Sequence, residues 1–323
     1  MSDRQPTSPR RPSLPAETGP LAALIAVYLL FVFISPDNFG RLLILETMIR
    51  QTVVVSILAV GMTLVIIKGG IDLSVGSVVA LTTVVCARVS QTDPGLGPVV
   101  LAGLAVGLAA GLLNGILVAW LRITPFIVTL ATMSILRGAA KGIADQKMID
   151  AHAYGLDAWM SALPEESYAL FPPGVWLAAV VAVGVGLLLH FTPLGRHIVA
   201  IGSNALTARL CGVSVERVTA ITYALMGLLG GLAGLMEFAT LTVGDPTDSV
   251  GLELDVIAAV VIGGGSLAGG RGSVAGAVFG ALLMTVIKTG CNNIGLDNWV
   301  QEILTGVIIL IAVGLDRFRA PPN

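Results

Sequence analysis

Long apolar segments alternate with short polar ones along this chain of 323 residues. Ten segments have the character of membrane-spanning helices, since a helix crosses a bilayer with ~20 mainly apolar residues. They centre on residues 21–36, 49–67, 71–88, 97–120, 123–141, 173–192, 217–239, 254–269, 273–290 and 298–315. The pattern predicts an all-α fold, a polytopic membrane helical bundle of about ten transmembrane helices.

Two of these segments have uninterrupted apolar cores that are shorter than a full span, at residues 123–136 and 256–270. A broken or re-entrant helix at either place would change the number of crossings. The pattern is therefore compatible with about eight to eleven spans.

Composition agrees with a membrane protein and excludes several other classes. Apolar residues make up 55% of the chain and charged residues 12%, against roughly 25% charged in a soluble domain. So few charges cannot cover the surface of a soluble protein. The net charge of −2 comes without a basic stripe, so we predict no nucleic-acid partner.

The termini and the charges next to the apolar segments predict the domain organisation. Residues 1–19 are polar and rich in proline and arginine, and we expect a disordered cytoplasmic tail there. Residues 20–316 form the transmembrane domain, and residues 317–323 form a second cytoplasmic tail. With ten spans and the N-terminus inside, eleven of the 18 lysines and arginines lie in the cytoplasm, which favours both termini inside.

The cysteines and histidines do not suggest a metal centre. The three cysteines stand far apart without a CxxC motif, and the three histidines are equally scattered. Neither set has the spacing of zinc ligands or of a disulfide framework. We predict no metal site and no cofactor bound by this chain.

Glycines repeat every fourth residue in several spans. Gly103, Gly107, Gly111 and Gly115 form the longest such row. Small residues at this spacing let helix backbones approach closely in lipid, so we interpret these faces as packing seams. The alternative, that they line a pore, stays open.

The segment from Lys68 to Ser77 combines a charged pair, three glycines and a helix-capping pattern between two apolar spans. Asp72 is suited to accept hydrogen bonds from the free N–H groups that open the next helix. An acidic residue beside irregular glycine-rich backbone in a membrane also suits a substrate route. Both interpretations stay open.

A second glycine-rich run, residues 263–273, resembles a phosphate-binding loop only superficially. The motif GxxxxGK[ST] needs lysine followed by serine or threonine, whereas Arg271 and Gly272 follow the glycines here. Any ATP must therefore be hydrolysed by a separate subunit. The run also repeats part of the first one, since Val65–Val78 and Val261–Val274 share glycines and a Gly-Ser-Val end, although chance produces such matches in glycine-rich sequence.

A third polar segment, residues 192–213, predicts a short helix. Ser203 or Asn204 is a good N-cap, Ala205 to Cys211 form about two turns, and Gly212 ends them. A capped helix of this size on the cytoplasmic face can dock in a groove on a partner. The alternative is an ordinary structured loop.

Together these motifs resemble the permease subunits of bacterial monosaccharide ABC importers, the ribose, xylose, arabinose and galactose type, which are related to branched-chain amino acid permeases. The resemblance runs from about residue 45 to 316. It is carried by Gly70–Gly76, Leu113–Gly115, Thr124–Leu130, Gly195–Arg196, Gly202–Asn204, Ala208–Leu210 and Gly269–Ser273. Residues Ala140–Leu170 follow no pattern of that family.

The resemblance implies a transmembrane subunit of the bacterial inner membrane that imports a small sugar by alternating access. It implies as partners a second permease copy, ABC ATPase subunits that bind ATP and Mg²⁺, and a periplasmic or lipid-anchored sugar-binding protein. We expect the substrate path to be lined by hydroxyls, an amide and a carboxylate in apolar spans, although each can bond its own helix instead. These residues are Asp72, Ser74, Asn114, Thr124, Thr129 and Thr132.

The same resemblance assigns the short helix as the element that grips the ATPase. Its residues are Ser203, Asn204, Ala205, Ala208, Arg209, Leu210 and Gly212. Other functions stay open at this point, including a secondary transporter, a channel, and an ABC permease for an amino acid or nucleoside. An intramembrane enzyme is disfavoured because HExxH, paired aspartates and GxSxG with a partner histidine are absent.

Overall fold

The computed structural model describes residues 18–35, 39–93, 95–162 and 170–319, with side chains as far as residue 314. These residues are nearly all helical. The helices are α1 (Thr18–Ile34), α2 (Leu42–Ile67), α3 (Val75–Thr92), α4 (Leu96–Ala119), α5 (Pro125–Ile143), α6 (Pro173–Phe191), α7 (Pro193–Ser203), α8 (Ala205–Leu210), α9 (Val215–Leu241), α10 (Leu252–Ile262), α11 (Val274–Asn293) and α12 (Asn298–Arg319).

Two short strands, β1 (Ile149–Asp150) and β2 (Val243–Gly244), pair antiparallel and form the one sheet among the described residues. The predicted tail 1–19 lies outside these residues, except that α1 begins at Thr18. The second predicted tail begins within α12, which is helical through Arg319.

Seven helices are long and apolar enough to cross a membrane. They are α2, α3, α4, α5, α6, α9 and α11. Shorter apolar helices occur at Thr18–Ile34 and Asn298–Gly314. The prediction of a helical membrane bundle is confirmed at this level, whereas the ten-span count and the orientation of the termini remain predictions.

The segment predicted as a span at 254–269 has the alternative structure that its short apolar core allowed, a helix that is interrupted. Its helix, α10, has 11 residues and is therefore ~16 Å long, about half the hydrocarbon thickness of a bilayer. The helix ends because Gly264 adopts a φ of +91°, and the amides of Gly264 and Gly265 bond the carbonyls of Val261 and Val260 at 3.0 and 2.8 Å. The apolar pattern continues past this end, but the backbone does not remain helical.

The residues that precede α10, 245–251, are also non-helical. A Cβ on Gly244 would lie 2.7 Å from Cβ of Ala87, and a Cβ on Gly76 would lie 2.5 Å from the carbonyl oxygen of Ser249. Ala87 and Gly76 are separated by ~16 Å along α3. Residues 245–251 therefore run alongside α3 over about this distance. Irregular backbone at membrane depth is tolerated when protein surrounds it.

The glycine rows of α4 and α9 pack against each other. A Cβ on Gly107 would lie 2.2 Å from the carbonyl oxygen of Gly227, and one on Gly111 would lie 2.3 Å from that of Tyr223. Any larger residue at these two glycines would push the helices apart. The interpretation of this row as a packing seam is confirmed.

Candidate functional site

The loop between α2 and α3, residues 68–74, is irregular backbone held inside the bundle. It begins where Gly69 takes a φ of +90°, and the amides of Gly69 and Gly70 cap the carbonyls of Ile66 and Val65, both at 2.9 Å. A larger residue does not fit at Gly70, because a Cβ there would lie 2.6 Å from the hydroxyl of Tyr223. The loop therefore packs directly on α9.

Three of the predicted path residues form a connected polar cluster in this loop and on α4. Oδ1 of Asp72 accepts hydrogen bonds from the amide and the hydroxyl of Ser74, at 2.9 and 2.6 Å. The Nδ2 group of Asn114 donates to Oγ of Ser74 at 2.9 Å and to Oδ2 of Asp72 at 3.4 Å. All three side chains are buried, each at most 2% exposed.

The hydrogen bonds of Asp72 bear on its two interpretations, as a cap of α3 and as part of a substrate route. Ser74 is the N-cap residue of α3, but its side chain does not cap the helix. Asp72 accepts the amide of Ser74 itself, so it fixes the turn before α3 rather than the first turn of the helix. The Oδ1 atom of Asn114 is buried without a hydrogen-bond partner, which leaves the cluster an acceptor for a further donor.

Thr129 joins the cluster from α5, and Tyr223 joins it from α9. Their hydroxyls lie 3.3 and 3.4 Å from the carbonyl oxygen of Ile71, and each donates to it. Thr129 also bonds the carbonyl of Pro125 in its own helix at 3.0 Å. Sequence reasoning missed Tyr223, although a tyrosine inside an apolar span is the kind of residue that marks polar function in membranes.

The remaining two predicted path residues lie apart from the cluster. Thr132 is buried but bonds the carbonyls of Val128 and Thr129 in its own helix, at 3.1 and 3.2 Å. Thr124 is exposed at the start of α5 and borders a cavity of about 590 Å³ at that end of the bundle. The structure thus brings four of the six residues together.

The described residues contain no group of three or more histidine, cysteine, aspartate or glutamate side chains arranged for a metal ion. The segment 245–251 carries Asp245 and Asp248, and Arg137 of α5 contacts its backbone. Its guanidinium donates to the backbone carbonyls of Pro246 and Asp248. Arg137 therefore ties this segment to α5.

The predicted short helix exists as α8 and follows a further helix, α7, that the sequence reading did not separate from the loop. Asn204 is the N-cap, and its Oδ1 accepts the amide of Thr207 at 2.9 Å. Ser203, the other predicted cap, is the last residue of α7. At the other end Gly212 has a φ of +85°, and its amide bonds the carbonyl of Arg209 at 3.0 Å.

The surface of α8 has an apolar side that the rest of the described chain leaves uncovered. Leu206 and Leu210, one helical turn apart, are 70% and 81% exposed. Arg209, on the same helix, pairs with Glu216 of α9. The helix is thus fixed at both ends and leaves these two leucines exposed.

Comparison with known proteins identifies the family. Residues 44–313 match the model of the branched-chain amino acid transport system / permease component family. The chain belongs to this permease family. The match begins in α2 and ends in α12, so it includes the buried loop, α8 and the glycine-rich run.

Named relatives of this permease are similar over nearly all of its length. It is 39% identical to the ribose import permease protein RbsC of Escherichia coli K12 over 300 residues, 91% of this chain and 92% of the relative. It is 38% identical to RbsC of Bacillus subtilis 168, over 94% and 93% of the two chains. It is 35% identical to the L-arabinose transport system permease protein AraH of E. coli K12, over 93% and 90%. No solved structure matches it.

Proposed function

We propose that this chain is the membrane-spanning subunit of an ATP-driven importer for a small sugar, in particular a monosaccharide. The observation that carries the proposal is the 35–39% identity to permeases named for ribose and arabinose, over more than nine-tenths of the chain. The family description mentions branched-chain amino acids. The relatives at this level of identity favour a sugar instead.

In this proposal ten helices are embedded in the inner membrane. They are the seven helices of membrane length together with α1, α10 and α12. The half-length α10 completes its crossing with the non-helical segments on either side of it, at 245–251 and 263–273. Both termini then lie in the cytoplasm with α7 and α8, and residues 20–316 form the permease domain.

The polar cluster of Asp72, Ser74, Asn114 and Thr129 is the narrow point of the sugar path. It is closed in this conformation because these side chains are buried. Movement of loop 68–74 away from α4 would expose donors and acceptors that replace the water lost by sugar hydroxyls. Thr132 lies one turn further along α5, and Thr124 faces the cavity at the cytoplasmic exit.

The coupling segment, residues 203–212, connects this path to ATP hydrolysis. Leu206 and Leu210 fit an apolar groove on an ABC ATPase, the partner that binds ATP and Mg²⁺. Two permease copies share the path, and a periplasmic or lipid-anchored sugar-binding protein delivers the substrate. ATP binding turns the pair outward and hydrolysis resets it.

The proposal is tested by uptake of labelled ribose and arabinose into proteoliposomes that contain the permease, its genomically adjacent ATPase and the adjacent binding protein. We expect uptake that requires ATP inside the vesicles and that persists when ionophores collapse the proton and sodium gradients. Labelled leucine serves as the competing substrate class. Uptake of leucine but not sugar, or uptake driven by an ion gradient without ATP, would contradict the proposal.

A further inference from the structure

The cavity near Thr124 has a volume of about 590 Å³, within the range of small-molecule sites. It lies where the end of α2, the loop between α4 and α5, the junction of α7 and α8, and the start of α9 meet. The proposed topology places this side in the cytoplasm. The cavity is separate from the buried cluster of Asp72, none of whose side chains line it.

The charges on the cavity wall are unbalanced. Lys68, Arg122 and Arg209 line it together with a single acid, Glu216. Glu216 is already paired with Arg209. Among the residues that the structure describes, no carboxylate lies within ion-pair distance of Lys68 or Arg122. Two positive charges therefore face the cavity without a counter-charge.

Lys68 is the more constrained of these two cations. Its Nζ lies 5.7 Å from the centre of the Tyr223 ring, and burial lowers the pKa of the amine to about 8. The amine thus remains mostly protonated at neutral pH, although its surroundings disfavour the charge. An anion in the cavity would supply the partner that the protein does not.

Arg122, which also lines the cavity, has an unusual backbone conformation. Its φ is +55°, in the left-handed region that non-glycine residues rarely occupy. Such conformations persist where the surrounding structure imposes them and are frequent at binding sites. The strained turn at Arg122 brings a guanidinium to the rim of the cavity, close to the entry of α5.

We propose that this cavity binds a small phosphate-bearing anion held by Lys68 and Arg122. A neutral sugar needs neither cation, whereas a phosphate group carries about one negative charge as a diester and about two as a monoester, and it accepts hydrogen bonds from both an ammonium and a guanidinium. The phosphate can belong to a soluble phosphomonoester or to a lipid headgroup of the inner leaflet.

Occupancy of the cavity bears on coupling because Ala205 and Arg209 of α8 form part of its wall. A bound anion would brace α8 against the end of α2 and the loop between α4 and α5. Since α8 is the segment that we assign to ATPase docking, an anion bound here would regulate transport at the cytoplasmic end of the path, away from the buried cluster of Asp72.

The test uses the purified full-length permease without ATPase or nucleotide, in a neutral detergent at constant ionic strength. Thermal unfolding is followed while inorganic phosphate, a pentose 5-phosphate or dihexanoyl phosphatidylglycerol is added, with chloride as the reference anion. We expect a saturable rise in Tm with at least one of the three probes. A response to the lipid alone identifies a headgroup site, and a response to the soluble probes identifies a phosphomonoester site.

Variants distinguish anion binding at this cavity from a general effect of charge on stability. Lys68→Met and Arg122→Gln should each weaken binding by about tenfold or more, whereas Lys68→Arg should retain most of it. Arg196→Gln is the matched control, since Arg196 is exposed on α7 and does not line the cavity. Without ligand, Lys68→Met should unfold at a higher temperature than the wild type, because it removes an unpaired, partly buried charge.

The proposal is overturned if none of the three probes gives a saturable shift, or if the shift survives in the Lys68→Met/Arg122→Gln double variant. If Lys68→Met does not fold, Arg122→Gln takes its place, and an unchanged Tm shift in that variant overturns the proposal. Lys68→Arg should retain most of the shift. Sugar uptake is not part of the readout, so a failure of the proposed transport function leaves this result unaffected.

Discussion

The backbone amide of Gly270 lies 2.7 Å from the carbonyl oxygen of Ile67 and donates a hydrogen bond to it. This bond joins the glycine-rich run after α10 to the last residue of α2. Gly202, near the end of α7, packs against the same two groups, since a Cβ there would lie 1.7 Å from the Ile67 oxygen and 2.6 Å from the Gly270 nitrogen. In the proposed mechanism, this junction connects α8 to the loop that carries Asp72.

Replacing Gly202 tests the junction. Gly202→Ala places a methyl group inside contact distance of two backbone groups, so we expect destabilisation of about 1–3 kcal/mol and a matching loss of uptake. Gly184→Ala is the control, because a Cβ at Gly184 in α6 meets nothing within 4 Å. The check is the Tm of the purified permease together with sugar uptake. Wild-type values of both in Gly202→Ala would refute the assignment of Gly202 to a close-packed junction.

The role of the carboxylate in the polar cluster is tested by Asp72→Asn. The asparagine Oδ1 can still accept both hydrogen bonds from Ser74, so we expect a normal protein level. Its new amide group faces the Nδ2 of Asn114, and the charge is lost, so we expect uptake to fall by about tenfold or more, a change of ~1.4 kcal/mol or more.

The swap Asp72→Asn/Asn114→Asp separates the two causes of that loss. It restores a carboxylate to the cluster and removes the repulsion between two amide donors. Recovery of uptake would assign the role to the pairing of the two residues, and continued loss would assign it to a charge at Asp72. Unchanged uptake in Asp72→Asn alone would argue against any role for the carboxylate in the path.

The end of α8 depends on the backbone of Gly212. Gly212→Val forces a β-branched residue into a φ of +85°, which costs about 1–2 kcal/mol and disturbs the end of the helix. We expect lower recovery of the complex with the ATPase and weaker stimulation of ATP hydrolysis, while the permease still inserts in the membrane.

Gly212→Asn is the matched variant, because asparagine tolerates the left-handed region much better than valine. It should assemble almost as well as the wild type. Equal assembly and equally coupled hydrolysis in Gly212→Val and the wild type would count against α8 as the coupling helix.

An ion pair between α10 and α11 supports the half-length helix. Lys288 pairs with Asp255, whose side chain is only 7% exposed. Lys288→Met leaves that carboxylate buried without a partner and should destabilise the permease by about 3 kcal/mol. The double variant Asp255→Leu/Lys288→Met should recover most of this loss, because neither charge remains.

The exposed pair of Arg88 and Asp145 provides the control, since the Asp145 side chain is 83% exposed. Asp145→Asn should change stability by less than about 1 kcal/mol. The measurement is the midpoint of unfolding in mixed micelles of rising SDS content. A double variant no more stable than Lys288→Met would show that the pair is not the source of the effect.

The sequence by itself determined the features that depend on local chemistry. Apolar length predicted a helical membrane protein, glycines at every fourth residue predicted close-packed faces on α4 and α9, and the Asn204 and Gly212 caps predicted α8. Its order of motifs also indicated the permease family. Each cap, glycine row and motif consists of residues close together in the chain.

Tertiary structure decided what depends on residues far apart. The apolar pattern of 254–269 allowed either a span or a broken helix, and the backbone leaves the helix at Gly264, because surrounding protein can satisfy irregular backbone at that depth. The contact of Tyr223 with the carbonyl of Ile71, 152 residues away, has no local signature. Thr124 and Thr129 look alike in sequence, but only packing places one at an open cavity and the other in a buried cluster.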